Sequence, residues 1–221
     1  MSGFGSNERK TKKSEEKKIR SMQRDKLISD AFSLHSSGKI KKAADLYNLL
    51  IQNEIYDPRV FNNLGSIYSN LKQFDKAILL FDESIKKFPN SLEAYINLAK
   101  VMVIKGKSNI AKKILNKVIE LNPKYLKSYS NIAGIFVGEG NFEKAKFYLR
   151  KSLEISPKDI NTLVNLACVL KDLGDPKQAE RFLRDALEIN PKYDAALVNL
   201  GAVLNELGKI DEGEQLSLIH I

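Results

Sequence analysis

A 34-residue period runs through most of the chain, and a period sustained that long decides architecture before any propensity argument. Its landmark is a proline, at Pro89, Pro123, Pro157 and Pro191. An Asn-apolar-small triplet keeps the same step as Asn63-Leu64-Gly65, Asn97-Leu98-Ala99, Asn131-Ile132-Ala133, Asn165-Leu166-Ala167 and Asn199-Leu200-Gly201. A glycine (Gly106, Gly140, Gly174, Gly208) and an alanine (Ala77, Ala111, Ala145, Ala179) do the same. Each copy is expected to be one small unit that buries its apolar face by stacking on its neighbours.

The unit 160–193 shows the mechanics. With Asn165 at position 6, apolar residues fall at positions 4, 7, 8 and 11 (Leu163, Leu166, Ala167, Leu170), the i, i+3, i+4, i+7 stripe of a helix. Gly174 ends that helix, because a left-handed residue after the last turn is least costly as glycine. Asp175-Pro176 reads as an N-cap followed by the first helical residue. A second stripe follows at Ala179, Leu183, Ala186 and Leu187, and Asn190-Pro191 stops it, since the residue before proline avoids helical geometry. Small residues at positions 8 and 20 let the two helices approach closely. The unit is a helical hairpin.

This pattern resembles the tetratricopeptide repeat, TPR, whose signature has a large residue at position 4, Leu-Gly at 7 and 8, Tyr at 11, Ala at 20, Phe at 24 and Pro at 32. Copy 58–91 carries Phe61, Leu64, Gly65, Tyr68, Ala77, Phe81 and Pro89; copies 92–125, 126–159 and 160–193 fit with substitutions such as Met102 and Leu115. No copy carries the family's tryptophan. The resemblance implies an all-α fold, a right-handed α-solenoid of helical hairpins, with first helices lining a concave groove. It spans 24–215, including a degenerate copy at 24–57 and an incomplete one at 194–215. In the degenerate copy Leu27, Ala31 and Leu34 supply the first stripe and Ala43, Tyr47 and Leu50 the second, while His35 reads as an unpartnered surface residue.

The net charge of +9 is unevenly placed. Residues 1–26 hold nine Lys or Arg against four Asp or Glu, and the remainder 27 against 23. Residues 1–23 therefore read as a basic leader with too little apolar content to fold. Only Phe4 interleaves its lysines, which argues against a nucleic-acid partner. No secretory segment or long apolar run appears, and one cysteine excludes disulfide bracing, so a cytoplasmic setting without a membrane span is expected. At the far end, 216–221 reads as the in-frame translation of a sequencing-adapter end, so the natural protein is expected to continue past Gln215.

Catalysis is not expected within this segment. One cysteine and two histidines cannot assemble a metal site, and no nucleophile, base and orienter come together, so neither a metal nor a cofactor is expected. Gly138-Glu139-Gly140 looks like the start of a dinucleotide motif but falls in an interhelical turn.

The informative residue is the asparagine at position 6. Positions 2, 6, 9 and 13 lie opposite the apolar stripe, and asparagine is a mediocre helix former there. Asn63, Asn97, Asn131, Asn165 and Asn199 are therefore expected to form a ladder that offers a donor and an acceptor to a peptide backbone. The ladder resembles the superhelical TPR region of O-linked N-acetylglucosamine transferases. Arg59, Lys100 and Lys127 share this face with Glu93, Asp172 and Glu206, with no sustained sign. Co-chaperone TPR domains place an asparagine at position 9 to grip a terminal carboxylate; here Ser66, Lys100, Gly134, Cys168 and Ala202 stand there. Gly134 and Gly138, one turn apart, would admit a close backbone approach. The expected function is a non-catalytic scaffold for a protein or peptide. The alternative is the recognition arm of a larger enzyme, a glycosyltransferase, sulfotransferase or oxygenase.

Overall fold

The computed structural model describes residues 23–213, and every regular element among them is a helix. All but the last residue of the basic leader, and the closing segment 216–221, lie outside that range. Helix α1 covers 23–36. It is followed by α2 (Ile40–Gln52), α3 (Pro58–Asn70), α4 (Phe74–Lys87), α5 (Leu92–Ile104) and α6 (Ser108–Leu121). Then come α7 (Leu126–Gly138), α8 (Phe142–Ile155), α9 (Ile160–Asp172), α10 (Pro176–Ile189) and α11 (Asp194–Glu206). A further helical turn occupies 210–213. The fold class is all-α, a run of consecutive helical hairpins as an α-solenoid requires. The chain divides into two compact units between Val101 and Met102, within α5.

The turns and caps follow the residues expected to make them. Gly140 and Gly174 adopt φ of +70° and +78°, the left-handed region where a side chain is strained. Lys72 holds φ +57° at the position where later copies have glycine, so that turn is made without the residue best suited to it. Asp175 caps α10 by accepting from the Gln178 N–H at 3.0 Å, with Pro176 first in the helix. Asp159 caps α9 through the Thr162 N–H at 2.8 Å.

In the first unit the core comprises Ile28, Ala31, Ala43, Tyr47, Leu50, Val60, Leu64 and Ile67. One position of the expected first stripe of α1 is corrected: Ile28 is 4% exposed and Leu27 36%, while Ala31 is buried and Leu34 packs against the core as expected, with Phe32 beside it. The second stripe of that copy, Ala43, Tyr47 and Leu50, is buried as expected.

The second unit shows a feature that the stripe argument missed. In α9 the expected core residues Leu163, Leu166, Ala167 and Leu170 are buried, but so are Thr162, Val164 and Val169. The reason is that α9 packs against α8 on one flank and α11 on the other, as well as against its own partner α10. A first helix thus has two buried flanks, leaving only a narrow strip for water. The extra flank tolerates polar atoms when they pair: the Ser152 and Thr162 hydroxyls lie 3.2 Å apart, and Thr162 donates to Asp159 at 2.5 Å.

Close approach within a hairpin is sharpest at Gly65. A Cβ there would lie 2.5 Å from Phe81 Cε1 and 2.8 Å from Cζ, and that ring is itself buried in the core. Gly65→Ala gains helix propensity of about 1 kcal/mol but overpacks the crossing, which costs roughly 1–3 kcal/mol. Urea unfolding is expected to show net destabilisation, relieved when Phe81→Leu is added. A Gly65→Ala protein more stable than the parent would contradict this packing.

Candidate functional site

The strip left exposed on the first helices is the one the sequence singled out. In the second unit, position 2 (Lys127, Asn161, Ala195) and position 13 (Gly138, Asp172, Glu206) are exposed on α7, α9 and α11. At position 6, Asn131 and Asn199 are half-buried and Asn165 is exposed. In the first unit Asn63 and Asn97 are half-buried at the matching place on α3 and α5.

The five carboxamides are not equivalent. Asn131 donates its Nδ2 to the Lys127 carbonyl at 2.6 Å, one turn back in its own helix. Asn199 does the same to Ala195 at 2.7 Å, and its Oδ1 accepts from Cys168 Sγ at 3.3 Å. Asn63 donates to Tyr47 Oη at 3.2 Å. Each of these NH2 groups keeps one further hydrogen. Asn97 and Asn165 make no side-chain hydrogen bond among the described residues.

Of the cations named from sequence, Arg59 is already engaged. Asp57 caps α3 by accepting from the Arg59 N–H at 2.8 Å, and the Arg59 guanidinium returns a two-pronged clamp, Nε to Oδ1 at 3.0 Å and Nη2 to Oδ2 at 2.7 Å. It also lies 5.0 Å from the centre of the Phe32 ring. Its charge is largely answered within the fold. Lys100 is exposed on α5 and Lys127 is exposed at the start of α7.

Two cavities open among these residues. One, of about 210 Å³, lies between α7 and α9 in the second unit, walled by Ala133, Gly134, Val137, Cys168 and Val169 and floored by Leu149 of α8. Asn165 and Asp172 stand at its rim, with Ser130 opposite. Gly134 leaves the opening clear: a Cβ added there would meet nothing within 4 Å. Burial pushes the Cys168 thiol up, so it is a poor thiolate and serves as wall.

The other cavity, about 400 Å³ and shallower, is lined by Phe32, His35, Ser36, Tyr47 and Asn63 in the first unit. Here the sequence reading of His35 is corrected. Its Nδ1 lies 3.4 Å from Tyr47 Oη and its ring meets Tyr47 edge-on at 6.0 Å. Burial raises the Tyr47 phenol above its ordinary value, and the Asn63 donor partly offsets this. Among the described residues no group of three or more His, Cys, Asp or Glu could hold a metal ion. No described helix is long and apolar enough to cross a membrane.

Antiparallel helix pairs on a 34-residue step, with one narrow exposed strip per first helix, define a helical-repeat protein. Models of the tetratricopeptide repeat match residues 58–91, 92–125, 126–192 and 170–216. The chain belongs to the tetratricopeptide repeat family. It is 34% identical over 98 residues to the BBSome complex member BBS4 of Bos taurus, a match covering 44% of this chain and 19% of that protein. The chain thus spans about a fifth of that relative's length. Among solved structures, a thermophilic TPR protein of Thermus thermophilus aligns with a TM-score of 0.67 at 19% identity, over 82% of this chain and 98% of its own. YrrB, a TPR protein with an unusual peptide-binding site, aligns at 0.56 and 18% identity, over 77% and 88%. At such identities the likeness speaks for the fold.

The Asp57–Arg59 clamp predicts an acid-sensitive component of stability. The Arg59 hydrogen bonds hold the Asp57 carboxyl below its ordinary value, outweighing the opposing effect of burial. A depressed carboxyl contributes stability above its unfolded pKa of about 3.9, and that contribution is lost as pH falls through the lower folded value. Asp57→Asn and Arg59→Ala are both expected to lower stability at neutral pH and to flatten its decline on acidification. Thermal melts across that range check it, and parent-like acid sensitivity in both variants would show the clamp to be inert.

Proposed function

We infer that the array is a non-catalytic scaffold that holds an extended polypeptide along the exposed strip of its first helices. The observation that carries this reading is the strip itself in the second unit. Three helices present a carboxamide at the same position, with only small or no side chains at position 9 (Gly134, Cys168, Ala202) to stand between a ligand backbone and the helix. A carboxamide matches a peptide unit because it donates and accepts at once. Asn165 supplies both capacities outright, and Asn131 supplies its free oxygen and one hydrogen.

The relatives support a protein-binding role. One is a member of a protein complex and another has a peptide-binding site. The mixed charge of the strip favours a ligand recognised by backbone and shape over one recognised by net charge. Lys100 and Lys127 act as flanking contacts, whereas Arg59 contributes the outer face of its clamp.

The triple variant Asn97→Ala, Asn131→Ala, Asn165→Ala tests the ladder. Net hydrogen-bond contributions of about 0.5–1.5 kcal/mol each predict a loss of binding of at least tenfold. Helicity by circular dichroism is expected to hold or rise, since alanine is the better helix former. The readout is retention on an immobilised set of unstructured peptides. Unchanged retention would make the ladder a helix-surface feature without a ligand role.

A further inference from the structure

The cavity between α7 and α9 goes further than a backbone-reading strip, because it asks for a side chain. Its walls and floor are aliphatic or sulfur-bearing, and the deepest, Leu149, is a core residue. Its size of about 210 Å³ is below the roughly 300–1,000 Å³ of pockets that enclose whole small molecules. It suits one large side chain. Water held against such walls makes few hydrogen bonds, so an apolar group that displaces it is favoured.

The rim adds a charge preference. Asp172 closes α9 and Glu206 closes α11, and α9 and α11 pack against each other, so two carboxylates stand at neighbouring helix C-termini. The C-terminal end of a helix already carries partial negative charge, so each acid deepens a potential that attracts a cation. Asp172 meets only Lys171, the preceding residue, at 4.0 Å, and Glu206 makes no ion pair among the described residues. No lysine or arginine lines the cavity, and Gly134 contributes nothing beyond backbone.

We propose that this cavity is a specificity subsite that receives a large aliphatic side chain of an extended polypeptide, with a lysine or arginine beside it directed to Asp172 and Glu206. The inference rests on the peptide-scaffold reading above and names the segment that reading would hold. Asn165, at the rim, pairs with the ligand's main chain next to the buried side chain. Cys168 lies in the wall and is covered when the site is filled.

The test uses the full chain and short Gly/Ser peptides bearing a central Leu-Lys, Leu-Glu or Ala-Lys pair. The parent is expected to bind Leu-Lys roughly tenfold more tightly than Ala-Lys, from the burial of the extra methylenes. Gly134→Leu fills the cavity from within; it is expected to abolish that preference while its Tm holds or rises. Asp172→Asn with Glu206→Gln is expected to erase the preference for Leu-Lys over Leu-Glu and keep that for leucine over alanine. Cys168 is the only cysteine, so iodoacetamide labelling gives a readout that needs no variant, and the Leu-Lys peptide is expected to protect it. Peptides that bind the parent but leave Cys168 labelling unchanged overturn the subsite and leave the scaffold reading standing. Equal binding to parent and folded Gly134→Leu does the same. A parent that retains none of the peptides, and no other unstructured peptide, overturns both.

Discussion

Helices within each hairpin can meet closely only where their facing side chains are small, and the rest of the molecule depends on that approach. Gly65, Ala77, Ala133, Ala145, Ala167 and Ala179 sit at these crossings, and all but Gly65, where the Phe81 ring fills the space, carry a buried methyl group. Interaxial distance is set by the side chains at the contact. With it fixed, the left-handed glycine turn and the capping aspartate have only to join ends already placed. A first helix then lies between its own partner and the second helix of the preceding hairpin, and its exposed strip narrows to the positions that neither flank covers. The scaffold determines which few side chains can meet a ligand.

Periodicity made the hairpin, its turns and its caps readable in the sequence, because each landmark residue answers to a local requirement. Two-sided burial was not readable in the same way. A single stripe at positions 4, 7, 8 and 11 describes a helix resting on one surface, whereas α9 also buries Thr162 and Val169 on one flank and Val164 on the other. Their character gave little warning, since a valine or threonine is at home on a half-exposed face. The start of the first stripe in α1 was misplaced by one residue for a related reason. That copy lacks the asparagine and proline that fix the others, and Leu27 and Ile28 are equally apolar; only packing into the core of the first unit chooses between them.

The candidate site was legible as a set of positions and not as a set of free groups. Sequence spacing put five asparagines on one strip, but a carboxamide on a helix can turn back to the carbonyl one turn earlier, as Asn131 and Asn199 do. Such a bond competes with any ligand for one hydrogen. Arg59 shows the same limit more strongly. Two residues from a capping aspartate, it closes on that aspartate and lies over the Phe32 ring. A charge near a helix N-terminus is often spent on the cap, and only the geometry of Asp57 shows it.

Glycine separates what the fold demands from what it leaves over. Gly65 is compensated, because the space a methyl group would need is filled by Phe81, and the helix-propensity cost is offset by a tighter crossing. Gly134 and Gly138 have no such compensation. Each weakens α7 by about 1 kcal/mol relative to alanine, and nothing within 4 Å would obstruct an alanine. Neither has the positive φ that would call for glycine. Hairpin, turn and cap therefore give no reason for either. What the bare backbone at Gly134 does leave open is an apolar recess beside an unengaged carboxamide, on the face where the other side chains point to water. The glycines were legible in the sequence as room for a close approach; that the room at Gly134 is an apolar recess depends on Leu149 of α8, which no spacing within α7 reveals.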